Sequence, residues 1–324
     1  MAASLTRSPA RRLVPGAASH LDVLGRLARG PGDPTHRRSS DGWWRTSVTP
    51  DGGVLLHLGR QGDDVLVRAW GPGAEWALHQ CPRLLARHDD PGDFRPVHPL
   101  LREAWRRRPH LRVGATDRVC ETLLPTVIEQ KVTGAEAFRS IRLLTLRFAD
   151  PAPGPAEEPG SPASGMRLPL TPAQWAGIAS WDYLRAGVEQ KRSATVVAAA
   201  RRAASLERLG PDGADRALRS LPGVGEWTSA LTRQQALGDA DAWSVGDYHV
   251  PGAIGRTLLG REPVDAAEVD AALEPYQGHR YRVEQLVAVA GVRQERHGPR
   301  RSLPEHLPWV ARPARPLRAS TCGW

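Results

Sequence analysis

The chain has 324 residues, with 44 Lys and Arg against 35 Asp and Glu, a formal net charge of +9 and 40% hydrophobic residues. This is ordinary for a globular protein, leaves room for one large or two to three small domains, and includes no run of about 18 apolar residues that could span a bilayer. Three cysteines, Cys81, Cys120 and Cys322, are too few for a four-cysteine iron–sulfur cluster and lack the spacing of a zinc site, which fits a reducing, cytoplasmic setting. The positive charge attracts polyanions, of which nucleic acid is the commonest in a cell. Compositional drift toward arginine gives the same charge without a function, since the only lysines are Lys131 and Lys191.

In chain order, residues 1–18 read as a flexible basic arm, charged at Met1–Arg12 but lacking the apolar core of a signal peptide. Residues 19–97 read as a small α+β domain. It begins with an amphipathic helix at Leu21–Ala28, followed by strands at Trp43–Val48, Gly53–Gly59 and Asp64–Ala69. Glycine turns separate the strands, and a helix at Ala74–Arg87 closes the domain. Residues 98–295 read as all-α, starting with helices at His98–Arg107 and Arg118–Glu129. Capping boxes at Thr133, Thr171 and Asp265 each open a further helix. An Ala-, Pro- and Gly-rich loop over 150–169 is expected to be exposed. Helices at Ala194–Leu206 and Asp212–Ser220 lead to a hairpin, and residues 296–324 form an Arg/Pro-rich basic tail.

The hairpin is Leu221-Pro222-Gly223-Val224-Gly225-Glu226-Trp227-Thr228-Ser229. Pro222 ends one helix, and the two glycines allow a tight turn and the close approach of another molecule. A new helix starts at once, so the amides of Gly223–Thr228 sit at a helix N-terminus, where an anion such as a DNA phosphate is favoured. An ordinary helical hairpin with a tight turn is the alternative. About twenty residues on, Asp247 follows Gly246 in Val245-Gly246-Asp247-Tyr248-His249. Alone it reads as a helix N-cap, a role compatible with holding an anion rigidly opposite a sugar that becomes oxocarbenium-like. His249 could relay a proton or contact DNA.

The hairpin, the Val245–Tyr248 element and the segment Leu124-Pro125-Thr126-Val127-Ile128-Glu129-Gln130-Lys131-Val132 together resemble three ordered signatures of the helix-hairpin-helix DNA glycosylases, specifically the bacterial inducible 3-methyladenine glycosylase branch. The resemblance spans roughly residues 20–295. It implies a mainly α fold: a helix-hairpin-helix bundle preceded by a TATA-binding-protein-like α+β domain without a catalytic role. It further implies that Asp247 stabilises the transition state, and that Leu221, Gly223, Val224, Gly225 and Thr228 hold the DNA backbone. Gln130 and Lys131 would form the wedge that enters the duplex where a damaged nucleotide leaves it. Relatives that also nick the strand carry a lysine where Trp227 stands, so this chain resembles the class that leaves an abasic site. No side-chain metal site and no cofactor are implied, though hairpin carbonyls near Leu221 and Val224 could hold Na+ or K+.

Two departures bear on substrate. Lys131 replaces an apolar wedge, and the aromatic positions that line the alkyl-base pocket fall near Leu231 and Val287. Stacking on a damaged base would then rest on Trp227, Tyr248 or another tryptophan, with Trp181 and Trp175 as candidates. The expected partner is double-stranded DNA with damaged bases, met in the nucleoid by a monomer. Two alternatives stay open: a non-catalytic hairpin protein that clips DNA, and a glycosylase for deaminated or oxidised bases. The second would need more acid help, because the leaving base is neutral.

Overall fold

The computed structural model describes residues 8–290. Successive side chains along a strand point to opposite sheet faces; burial alternates along Asp64–Trp70, whereas residues 54–59 are buried on both faces. Strands Ala10–Val14 (β1), His36–Ser39 (β2), Gly42–Thr49 (β3), Gly52–Gln61 (β4) and Asp64–Trp70 (β5) form one antiparallel sheet in the order β1-β5-β4-β3-β2. Two-residue turns join β3 to β4 and β4 to β5, with Thr49 opposite Gly52 and Gln61 opposite Asp64. Val54, Leu56 and Leu58 of β4 bury one face against helices Val23–Leu27 (α1) and Ala74–Leu84 (α2).

Two expectations about this domain are corrected. Part of the segment read as a flexible arm is β1, which pairs with β5 from Ala10↔Ala69 to Val14↔Val65. Its sequence, Ala-Arg-Arg-Leu-Val, has no apolar alternation strong enough to mark a strand; the exposed edge of β5 supplies the pairing partner. The segment over 150–169 is exposed in part, at 157–160 for example, but it also packs against the sheet. Ala152, Ala156, Ala163 and Met166 are buried with Trp44 and Leu55 on the other face of the sheet, and a bridge pairs Pro151 with Arg167. Alanine leaves no bulk to hold the backbone off the sheet, so a composition that looks like linker packs as a cover.

The rest is helical, as the sequence predicts. Helices Pro99–Arg107 (α3), Val119–Ile128 (α4), Gly134–Phe148 (α5), Pro172–Gly177 (α6), Ser180–Arg185 (α7), Gln190–Ala200 (α8), Ala203–Leu206 (α9) and Ala214–Arg219 (α10) precede the hairpin. Glu226–Thr232 (α11), Val250–Ile254 (α12), Ala266–Leu273 (α13) and Arg280–Ala290 (α14) follow it. Capping boxes form at Thr133, Thr171 and Asp265, each side chain accepting the amide three residues on. The expected helix at Ala194–Leu206 is divided between α8 and α9.

The helices bury two cores. One draws on α4–α10 and the hairpin, through residues such as Leu123, Leu144, Val196 and Leu221; the other gathers Phe94, which precedes α3, with Leu101 of α3 and Ile254, Leu273 and Leu286 of α12–α14. The chain from Gly238 to His249 passes from one to the other, and the candidate site lies on this crossing. Buried ion pairs fix the sheet domain to the helices: Arg45 to Glu121 at 2.6 Å, and fully buried Arg282 to Asp89 at 2.7 Å. The basic tail and Cys322 lie outside the described residues.

Candidate active site

The hairpin joins α10 to α11. Leu221 and Val224 are buried in the first core, while Pro222, Gly223 and Gly225 face outward. Gly223 has φ +85°, and a Cβ there would stand 2.4 Å from Thr195 Oγ1. Both its handedness and its packing require glycine. Gly225 differs: its φ is −98°, and a Cβ would meet nothing within 4 Å. The space over Gly225 is open to a ligand. After Thr232 the helix widens into a π-type turn over Arg233–Leu237, a distortion often found at functional sites.

Gln130, at the end of α4, is tied to this hairpin. Its Nε2 donates to Gly223 O at 3.0 Å and to Thr228 Oγ1 at 2.8 Å. The segment expected to enter the duplex and the segment expected to hold the backbone are therefore one rigid unit. Lys131 is exposed and has φ +56°, so its side chain is carried on a left-handed turn away from α4.

Asp247 approaches α11 from the crossing segment. Gly246, at φ +76°, turns the chain, and Asp247 Oδ1 accepts the amides of His249 at 2.7 Å and Val250 at 3.1 Å at the start of α12. The N-cap of α12 is His249, so Asp247 is not the cap read from the sequence; it stands two residues before the cap and accepts the amides of the cap and of the first helical residue. The other oxygen, Oδ2, accepts Trp227 Nε1–H at 3.1 Å. This contact joins the hairpin helix to the carboxylate across twenty residues of sequence, and it accounts for a half-buried tryptophan beside a surface turn.

Of the aromatic candidates, Trp227 and Tyr248 lie beside Asp247. Tyr248 is 90% exposed, with its ring edge-on to His249 at 4.9 Å. Trp181 is 62% exposed on α7, and among the described residues its ring meets neither of those two. Trp175 is core, stacked on Tyr183 whose hydroxyl donates to its carbonyl. Leu231 is half-buried, and Val287 belongs to the second core. One cavity lies between the sheet domain and α4, lined by Asp33, His36, Arg45, Glu121 and Trp175 among others; a second reaches Gln234, Gln235 and Tyr281. Asp247 lines neither.

No protein-family model matches the chain, and no curated protein matches it in sequence. Solved structures do. A 3-methyladenine DNA glycosylase from Archaeoglobus fulgidus superposes with a TM-score of 0.68 at 18% identity, covering 87% of this chain and 98% of that one. The apo-form of an 8-oxoguanine glycosylase/lyase from Clostridium acetobutylicum gives 0.64 at 13% identity, covering 89% and 99%. In complex with DNA containing cytosine opposite 8-oxoguanine, that enzyme gives 0.63 at 13% identity over 82% and 89%. The fold is that of the helix-hairpin-helix DNA glycosylases.

Within this glycosylase fold, one residue near Asp247 escaped sequence reasoning. Glu284 on α14 accepts Ser244 N at 2.8 Å and Ser244 Oγ at 2.9 Å, three residues before Asp247. Burial pushes its carboxyl up to about 7, and the charge of Asp247 adds to the rise, while the Ser244 bonds oppose it. A lone glutamate between Val283 and Leu286, both fully buried, was the available signal. Helical periodicity puts 283, 286 and 287 on one buried face, with 284 beside it.

Proposed function

We propose that the protein is a monofunctional DNA glycosylase that extrudes a damaged base, foremost an alkylated purine, from duplex DNA and hydrolyses its N-glycosidic bond. The observation that carries this reading is the carboxylate of Asp247. Three donors hold it at the outer end of the crossing segment, and one of them, Trp227, belongs to the helix that an open, glycine-built hairpin begins. Hydrolysis needs little more from the protein if the base is already cationic. The C1′–N bond breaks with its electron pair going to the base, positive charge spreads over C1′ and the ring oxygen, and water adds at C1′ and gives up a proton. A fixed anion opposes the developing charge and can take the water's proton. Extrusion is required because C1′ is inaccessible in stacked DNA.

Supporting the binding half of the reading, nothing stands within 4 Å of the Cβ position of Gly225 at the start of α11, and exposed Lys131 adds a positive charge on the turn after α4. Monofunctional action follows from Trp227. An indole N–H facing Asp247 Oδ2 supplies no amine to form a Schiff base, so an abasic site is the end product. In this reading the hairpin carbonyls near Leu221 and Val224 would hold a monovalent cation. Leu221 O accepts Val224 N and Gly223 O accepts Gln130 Nε2, each at 3.0 Å, and each oxygen keeps a second lone pair. Bound there, Na+ or K+ would add positive charge next to a phosphate. The five-stranded domain takes the place of the TATA-binding-protein-like domain of the inducible 3-methyladenine branch.

The test is a set of duplex oligonucleotides, each carrying one modified base: 3-methyladenine or 7-methylguanine, ethenoadenine, hypoxanthine, uracil and 8-oxoguanine. Alkali after incubation reveals abasic sites. Release of an alkylated purine, with nicking only after alkali, is the expected result. Nicking without alkali contradicts the monofunctional assignment, and release of none of these bases favours the DNA-clip alternative.

A further inference from the structure

The crossing segment that delivers Asp247 is strapped along the first two turns of α14. Ala240 O accepts the amide of Tyr281 at 2.9 Å, and Asp241 takes the amide and the Nε of Arg280 at 3.1 and 2.8 Å. The final strap is Glu284. Its two oxygens take both polar hydrogens of Ser244, whose carbonyl then accepts the amide of Asp247 at 3.1 Å. From the opposite side, Gln234 of the π-type turn donates to Ala242 O at 2.5 Å and to Ser244 Oγ at 3.1 Å. Ser244 is therefore held between the hairpin helix and α14, three residues from the carboxylate.

A half-buried acid is a costly way to hold a serine. Among the described residues Glu284 has no ion-pair partner, and its surroundings disfavour the charged form. Glutamine has the same shape and could accept the amide and donate to Oγ, without a charge to bury. An acid there adds no stability at neutral pH that glutamine would lack, and acids with perturbed titration beside a reacting centre are candidates for function.

We propose that Glu284 is a positioning residue for base release, clamping Ser244 at both its amide and its hydroxyl and so fixing the backbone that carries Asp247. The inference rests on the reading that Asp247 carries the chemistry. Only the carboxylate presents two acceptors at the spacing of the Ser244 N–H and O–H; Glu284→Gln retains one acceptor and turns the other into a donor, so the hydroxyl must rotate.

The test uses the full chain and the modified-base duplex that the parent enzyme processes fastest in the panel above. Glu284→Gln, Ser244→Ala and Asp247→Asn are compared for single-turnover base release, duplex Kd and Tm. Displacing a reacting group by an ångström or less lowers rates by about 10- to 100-fold, and both clamp variants are expected in that range with Kd within about threefold of the parent. Glu284→Gln should at the same time match or exceed the parent Tm at pH 8, because it removes a half-buried charge without an ion-pair partner among the described residues. A merely structural residue would lower rate and Tm together. Ser244→Ala, which keeps the amide bond, covers the case in which Glu284→Gln fails to fold. Parent-like base release by a folded Glu284→Gln or Ser244→Ala, with Asp247→Asn inactive, overturns this inference alone; an active Asp247→Asn overturns the reading beneath it.

Discussion

Trp227→Phe isolates the bond that joins the hairpin helix to the carboxylate. Oδ1 of Asp247 is served by two backbone amides, whereas Oδ2 has the indole N–H at 3.1 Å. Phenylalanine keeps an aromatic ring against the same neighbours and removes only the donor and part of the ring system. A hydrogen bond to a charged group is worth about 1.5–3 kcal/mol. Where that energy holds the carboxylate in its productive orientation, each 1.36 kcal/mol lost is tenfold in rate, so base release should slow by roughly 10- to 150-fold. An opposing effect must be weighed. The N–H also withdraws charge from the anion, and freeing Oδ2 strengthens its attraction for an oxocarbenium-like sugar. Orientation should win, because the released oxygen can rotate toward water before the sugar reaches it. The assay is single-turnover base release with enzyme in excess, alongside duplex binding by fluorescence anisotropy. Slower release with unchanged binding is expected. Release as fast as the parent's, or faster, would refute the claim that this indole positions the carboxylate.

The two hairpin glycines should separate. Gly225→Val has room in the folded chain and obstructs only what approaches it, so duplex binding should weaken and its salt dependence should fall as phosphate contacts are lost, with Tm unchanged. Gly223→Val places a branched side chain at φ +85° and into Thr195; Tm should drop by several degrees in thermal denaturation. Glu284 predicts a stability change with pH. Because folding raises its carboxyl from an ordinary 4.5 to about 7, the folded state holds the proton more tightly, and stability is fully present below about 4.5 and lost as pH rises through 7. At about 1.4 kcal/mol for each tenfold in proton affinity, the loss across that window is roughly 3 kcal/mol. Urea unfolding at pH 5 and pH 8 should therefore show Glu284→Gln gaining on the parent at the higher pH, and a gap that does not change with pH would contradict the burial argument.

What was legible in the sequence was local. Thr133, Thr171 and Asp265 cap helices through residues three positions away, and the Gly223–Gly225 turn is written in five consecutive residues. The glycine turns that bound β3, β4 and β5 declare a sheet for the same reason. What stayed hidden depends on partners far along the chain. β1 is a strand because β5, more than fifty residues away, has a free edge. The alanines over 150–169 look like linker until Trp44 and Leu55 supply the surface they cover. At the site, the position of Asp247 could be read but not its bond to Trp227, and Glu284 gains its meaning only when α14 is laid against the crossing segment.

Asp247→Asn on the preferred substrate tests the central claim most directly. The substitution keeps the side-chain shape and leaves the hairpin untouched while removing the anion, so base release should fall by at least about 100-fold with duplex Kd near that of the parent. Base release at the parent rate, or a loss of binding equal to the loss of activity, would contradict the assignment of the chemistry to this carboxylate.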